Sequence, residues 1–352
     1  MTGLCRALRW APLLLMPVLT ACNPFSGARP MMDEYVERVA RVLETEPVLS
    51  SPEPAEQIPR RRDRVLSMPE LDMGMLDFLS LYGCELQFVV GEKNSVMGRV
   101  MQPLNRLRYE VRFIEAAREC LPEVEDDELE EALGEAIESK RQSLPIAVWN
   151  ATWGVEEVES LFTLAKGYYP VAPEGDPVSD LALDVEQLNA AAARLLDNNL
   201  DVSLDFAGNV HQRWQAEYRA GQLINSARLL VARLEDATGL LRERLNGRPL
   251  CLNGQPNNQS DIVRNMFFSV YIGEVQPYMG GIRRARNSLI EPLAELAQMQ
   301  EEVMPGDFRT WYRHHLSLTA PESLWQELDR AMSDHTQAWQ DLLGQCGLRP
   351  GT

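Results

Sequence analysis

The residues with the most specific chemistry lie near the start of the chain. Leu19-Thr20-Ala21-Cys22 sets a cysteine behind two small residues at the end of an apolar run. This is the arrangement of a bacterial lipobox, in which the thiol and the newly freed α-amine of the cysteine are acylated. Arg6 and Arg9 form a short cationic region before it, and Trp10 to Leu19 an apolar one, broken by Pro12 and Pro17 and too short to span a bilayer. The sequence therefore predicts a signal peptide over 1–21 and a mature chain held at a membrane through acylated Cys22. Each buried methylene contributes about 0.8 kcal/mol, so two or three such chains make a lasting anchor. Asn23 is not an aspartate, which under the sorting rule for bacterial lipoproteins predicts the inner leaflet of the outer membrane, facing the periplasm.

Besides Cys5 and Cys22 the chain has Cys84, Cys120, Cys251 and Cys346. In an oxidising compartment four cysteines imply two disulfides, for which three pairings exist. Cys84 with Cys120 and Cys251 with Cys346 is the favoured pairing, because each bond then staples one half of the chain. No two of the four share metal-ligand spacing, so no metal site is expected.

Catalytic motifs are missing. The sequence has no nucleophile elbow, phosphate loop, dinucleotide glycine fingerprint or paired-histidine zinc motif, and no cofactor is expected. His314 and His315 are adjacent, so on a helix they diverge by about 100 degrees. His335 falls on an apolar face, where a hydrogen-bonded core histidine is the common case, and His211 opens a long helical pattern. Two polar clusters interrupt apolar surroundings and are the candidate recognition surfaces. The first is Lys93, Asn94, Ser95, Arg99, Arg106, Tyr109 and Glu110, with Arg106 and Glu110 one helical turn apart. The second is Tyr271, Glu274, Gln276 and Tyr278, with Pro277 among them. Both also suit a structural role in fixing helix ends and turns.

Charge narrows the partners. The net charge of −18 becomes −20 once Arg6 and Arg9 leave with the signal. So acidic a chain argues against nucleic acid and against a polybasic membrane surface. The expectation is a non-enzymatic, membrane-tethered helical binding or assembly module whose partner is an envelope protein or a cell-wall component. The alternative is an envelope hydrolase acting on peptidoglycan through a buried carboxylate, with Glu110 or Glu274 as candidate because apolar residues flank both.

The elements that must position these residues read as helices throughout. Met32 to Leu43 is amphipathic, and Pro47, Pro52, Pro54 and Pro59 then forbid a helix and predict an extended strap to Arg62. The strap carries Arg60, Arg61, Arg62 and Arg64, read as solvated and paired with acidic helices. Met73 to Val90 is apolar almost all round, which predicts a helix buried between others. Leu104, Leu107, Val111, Ile114 and Ala117 follow at helical spacing. Nine carboxylates from Glu123 to Glu138, led by Asp126 and Asp127, fit a solvated helix start. Gly167 to Pro177 is loop-like. Ala216, Ala220, Leu223, Ala227, Leu230, Leu234, Ala237 and Leu241 form a heptad seam, with Leu181–Leu200 and Asp261–Val275 as its expected partners. Thr319-Ala320-Pro321-Glu322 reads as the capping box of a last helix ending near Gly347. No stretch alternates like a strand.

The fold class is therefore all-α, a multi-helix bundle of two packed helical halves. Its parts are the signal (1–21), an acylated tether with short helix and strap (22–62), a first half (63–168) and a second half (178–347), the halves being separate or continuous.

The runs Gly83-Cys84-Glu85-Leu86, Lys93 to Pro103, Arg106 to Glu110, Cys120-Leu121 and Tyr271 to Tyr278 resemble an uncharacterised family of gammaproteobacterial lipoproteins, domain-of-unknown-function family 3080. The resemblance extends over most of the mature chain. It implies a lipoprotein of the same architecture and carries no activity with it.

Overall fold

A computed structural model of the protein describes residues 27–69, 83–94 and 100–348. The expected signal peptide, Cys22, residues 73–82 of the apolar stretch, Ser95 and Arg99 lie outside the described residues, as does the side chain of Asn94. The described residues form helices, with no strand among them.

Helix α1 (Ala28–Leu43) buries Met32, Tyr35, Val36, Val39 and Leu43 along one face. Glu44, in the left-handed region at φ 58°, ends it. Residues 45–60 then run without regular structure to the single turn α2 (Arg61–Arg64). This strap is pinned along its length. Arg233 donates to the Ser50 carbonyl at 2.6 Å, Arg228 to Glu53 at 3.0 Å and Trp311 Nε1 to the Glu56 carbonyl at 3.2 Å.

Arg64 corrects the view of a solvated basic run. Its side chain is wholly buried and donates to the carbonyls of Pro59, Trp153 and Val155 while pairing with Glu159 at 3.0 Å. A guanidinium placed at the end of a helix supplies donors to carbonyls that have lost their own.

Helix α3 (Glu85–Asn94) also departs from expectation. Gly83 sits at φ 101°, so no helix passes through it, and of α3 only Leu86 and Val89 are buried, with Val90 partly so, while Phe88 is 67% exposed. The described part of the apolar stretch is thus a helix at the margin rather than a central one.

Helix α4 (Pro103–Cys120) starts on its proline, whose missing N–H costs nothing in a first turn. Helix α5 (Asp127–Thr152) is capped by Asp126, which accepts from the Leu129 N–H at 2.9 Å, and continues through Pro145 so that Trp149 lies inside it. The short α6 (Glu157–Leu161) follows. Helices α3, α4 and α5 pack in series, and α5 reaches α7 (Ser179–Leu196).

The heptad seam is split between two helices. Helix α8 (Ala207–Ala216) ends at Ala216, which is exposed, and α9 (Arg219–Asn246) carries the remaining seven positions, all fully buried. Their main partners are α1 and the last helix rather than the expected Leu181–Leu200 and Asp261–Val275. Gly221 lies on the same helix where the chain of Phe162 and Thr163 crosses it; a Cβ there would stand 2.1 Å from the Thr163 carbonyl oxygen.

A continuous helical rod then runs from Asn258 to Gln298. It contains α10 (Asn258–Met266), α11 (Gln276–Ala285) and α12 (Glu291–Gln298), joined by π-helical segments over Phe267–Val275 and Arg286–Ile290. Each π segment ends just before a proline. Pro277 has no N–H for the Gly273 carbonyl and Pro292 none for that of Ser288, so the ladder widens where its usual donor is missing.

Helix α13 (Gly306–His315) precedes α14 (Leu324–Gly344). The expected capping box fails: Ser323 caps α14, accepting from the Gln326 N–H at 3.3 Å, and Thr319 to Glu322 lie in the turn before it.

The structure joins Cys84 to Cys120 and Cys251 to Cys346, the pairs favoured from sequence. The first ties α3 to the end of α4. The second ties the loop after α9 to the end of α14. One continuous set of buried apolar side chains runs through all of these helices.

Candidate functional site

The two polar clusters have opposite fates. In the first, Glu110 has no exposed surface. Arg106 Nε donates to its Oε1, and Lys140 Nζ stands 2.7 Å from its Oε2 in a buried ion pair. Tyr109, also buried, has three cations against its ring: Lys93, Arg106 and Lys140, at 5.6, 5.4 and 5.5 Å from the centroid. Burial pulls the Lys140 ammonium below its usual range, with Glu110 opposing. Burial, and then the Glu110 carboxylate, push the Tyr109 hydroxyl up. Tyr109 and Glu110 are therefore interior groups, not a surface, and a sugar chain has no route to Glu110. Lys140, the partner that makes this possible, is buried on α5 and escaped sequence reading.

The second cluster divides across its rod. Tyr271 points into the core, stacking with Tyr35 and Trp339, and shares a hydrogen bond of 3.2 Å with Thr336. Beside it His335 is fully buried. Trp339 Nε1 donates to the Tyr35 oxygen at 2.8 Å and lies 3.1 Å from His335 Nε2. Because an indole only donates, Nε2 is the acceptor, and the Tyr35 hydroxyl donates to it at 2.6 Å. Nδ1–H then donates to Thr238 Oγ1 at 2.9 Å, whose own proton goes to the Leu234 carbonyl. Burial holds His335 neutral, down to about 3.

Of the other histidines, His211 does not open the long helix; it is buried on α8, with Nε2 3.0 Å from the Ala151 carbonyl. His315 is buried with neither ring nitrogen hydrogen-bonded, 3.8 Å from Glu56 of the strap. His314 beside it has its ring turned 86° away.

The opposite side of the rod forms a groove of about 760 Å³. Its far wall is the Tyr169–Pro177 loop, and its near wall the rod from Gly273 to Ser288, including residues from both π segments. Gly27 and Met31, where the described chain begins, close one end. The loop is fixed by one face of α9. Asn225 Nδ2 donates to the carbonyls of Leu164 and Gly167 at 2.9 and 2.8 Å, and Gln222 Nε2 to that of Lys166 at 2.9 Å. Ser226 Oγ accepts from the Tyr169 N–H at 2.8 Å and from the Tyr278 hydroxyl at 2.9 Å. Tyr278 is thus a buried floor residue with its hydroxyl committed. Burial, then the Asp176 carboxylate, push the Tyr169 hydroxyl up to about 12, with Arg219 and Arg284 opposing.

Above that floor lie Asp176, Glu274, Arg284, Asn287 and Ser288 among prolines and glycines. Glu274 and Arg284 are exposed and, among the described residues, neither has an ion-pair partner. Gln276 is exposed but lies outside the groove. Arg284, Asp176, Asn287 and Ser288 escaped sequence reading; the two prolines fifteen residues apart, each marking a widened turn, were the available signal.

Among the described residues no three His, Cys, Asp or Glu side chains could hold a metal ion, and no helix is long and apolar enough to cross a membrane. No curated protein and no solved structure matches the sequence. A family described as a protein of unknown function (DUF3080) matches residues 32–350, which covers the strap, both cysteine pairs and the helical rod, and the chain belongs to that family.

Proposed function

We propose that this protein is an acylated lipoprotein of the bacterial cell envelope that acts as a binding module, with the groove between the Tyr169–Pro177 loop and the helical rod as its binding site. The observation that carries this reading is the position of the groove. Gly27 and Met31 line it, and Gly27 is five residues from Cys22, a reach of at most about 18 Å of extended chain. Its volume lies in the range of small-molecule and peptide sites. The two cysteine pairs support an oxidising compartment, and Asn23 the outer membrane.

Labelled palmitate tests the anchor. Wild type expressed in a bacterium takes up label and partitions into detergent, and Cys22→Ser does neither; an unlabelled wild type would sink the claim. A photocrosslinking residue at Val171 in intact cells tests the site. Capture there, with none from a probe at exposed Leu183 on α7, supports the groove; equal capture from both removes it.

A further inference from the structure

We propose that the groove holds the headgroup of a zwitterionic phospholipid, its phosphate on Arg284 and its ammonium on Glu274. This rests on the anchored reading of Cys22 and adds a ligand class to it.

Three observations converge. The first is distance. A chain fixed to a leaflet through Cys22 carries Gly27, at one end of the groove, within about 18 Å of the acylated residue, so that end lies near the headgroup layer and headgroups are the ligand present there at the highest effective concentration. The second is local charge. The groove is lined by Arg284 on one turn of the rod and by Glu274 nearly three turns earlier, with Asp176 on the facing loop. Exposed charges of both signs without ion-pair partners fit a ligand that carries both signs. A guanidinium matches a phosphate with two parallel donors, and a carboxylate matches an ammonium. Gly280 and Gly281 leave the guanidinium room: a Cβ at Gly280 would stand 3.3 Å from Arg284 Nη1.

The third is net charge. At −18 for the full sequence, the protein is repelled by a purely anionic surface. That repulsion selects against anionic lipids, whose headgroup also leaves Glu274 and Asp176 unanswered. Met31, Val171 and Pro277 supply apolar wall for the glycerol end of the ligand. The Tyr278 hydroxyl of the floor is committed to Ser226 within the protein, so the charges for recognition come from the rim.

The test uses the full acylated chain on vesicles of equal parts phosphatidylethanolamine and phosphatidylglycerol, with a diazirine in the acyl chain next to the glycerol of one lipid at a time, so that both headgroups keep their charges. Labelled phosphatidylethanolamine is expected to crosslink to peptides covering 169–177 and 273–288, and Arg284→Gln or Glu274→Gln to lower that yield at least tenfold. Labelled phosphatidylglycerol is expected to reach the groove at least tenfold less. Equal labelling by both lipids, labelling unchanged by both variants, or displacement of the label by millimolar inorganic phosphate alone would each overturn the proposal. Palmitate on the same preparation separates the two claims. If the protein carries no acyl chain the anchor fails, and titration with dihexanoylphosphatidylethanolamine in solution still decides the groove: saturable binding lost in Arg284→Gln upholds the headgroup site, and its absence ends it.

Discussion

Glu110 and Glu274 have much the same sequence surroundings, each a carboxylate flanked by apolar and aromatic residues on a helix, yet the fold treats them oppositely. Glu110 is closed off between Lys140 and Arg106. Glu274 stands on a widened turn at an open groove, without an ion-pair partner among the described residues. The difference comes from what packs opposite. Helix α5 brings a lysine to Glu110 and seals it. The loop facing Glu274 is held to α9 at its start, through the Tyr169 N–H on Ser226, and brings no cation to the carboxylate, which is left to solvent. A buried charge with its partners present is structural, and an exposed charge beside a cavity is available to a ligand.

If the sealed side is structural, its covalent and ionic ties should be costly to lose and irrelevant to the groove. Replacing Cys251 and Cys346 by serine opens a 95-residue separation and is expected to lower unfolding free energy by about 5 kcal/mol in the chain-entropy argument. The Cys84 and Cys120 pair, which closes 36 residues that include Glu110, is expected to cost about 4 kcal/mol. Urea denaturation of oxidised and serine variants measures both. A loss of lipid crosslinking in a serine variant that remains folded would break the separation of the two regions.

Lys140→Met strands Glu110 with one cation. Breaking a buried pair costs roughly 3 kcal/mol or more, and the lower figure applies because Arg106 stays. The double variant Glu110→Gln/Lys140→Met should recover most of the loss, because the one charge left, Arg106, is partly exposed and reaches solvent. Denaturation of both variants checks this. If Lys140→Met costs nothing, Glu110 is reached by water and the sealed description is wrong.

Lys140 also shows where the sequence stops being legible. It sits in Glu138-Ser139-Lys140-Arg141, which reads as the solvated face of an acidic helix; only the packing of α4 on α5, a contact thirty residues apart in sequence, turns it inward. What was legible is local. The α1 face, the α9 seam, the cap at Asp126 and the cysteine pairs all follow from spacing or from halves stapled separately. Two of the failures share one cause, since continuity of a pattern does not guarantee continuity of a helix. Ala216 belongs to a separate helix because the chain breaks at Glu217 and Tyr218, and Gly83, at φ 101°, cannot lie inside the helix that hydrophobicity alone would draw through it. The groove needed two prolines to be read as places where a rod widens, and a loop to be read as a wall.

The buried histidines give the sealed side a pH signature. His335 and His315 are held neutral by burial, down to about 3 and about 4, against an ordinary value near 6.5. Arg228 and His314 add to the effect at His315, and Glu56 of the strap is the acid facing it. Below pH 6.5 the unfolded chain takes up protons that the folded chain refuses, so their contribution is complete above that value and is lost as pH falls toward 4 and then 3. The expected slope is up to about 1.4 kcal/mol per pH unit for each histidine. His315→Phe should remove its share of the slope at little cost at pH 7, because neither ring nitrogen has a hydrogen bond to lose. Denaturation between pH 7 and 4.5 measures it; an unchanged slope would mean that His315 protonates in place.

The smallest expected effect tests the open side most directly. Arg284→Gln and Glu274→Gln remove exposed charges that have no ion-pair partner among the described residues, on a rod whose inward face is packed by other residues, Tyr271, Tyr278 and Ile282. Surface changes of that kind shift unfolding free energy by less than about 0.5 kcal/mol. The pair should therefore unfold with wild type, singly and together, while lipid crosslinking falls. Should Arg284→Gln instead cost as much as Lys140→Met, the guanidinium would be holding the Tyr169–Pro177 loop to the rod. The groove would then be a joint of the fold, and the contrast between Glu110 and Glu274 would be one of exposure alone.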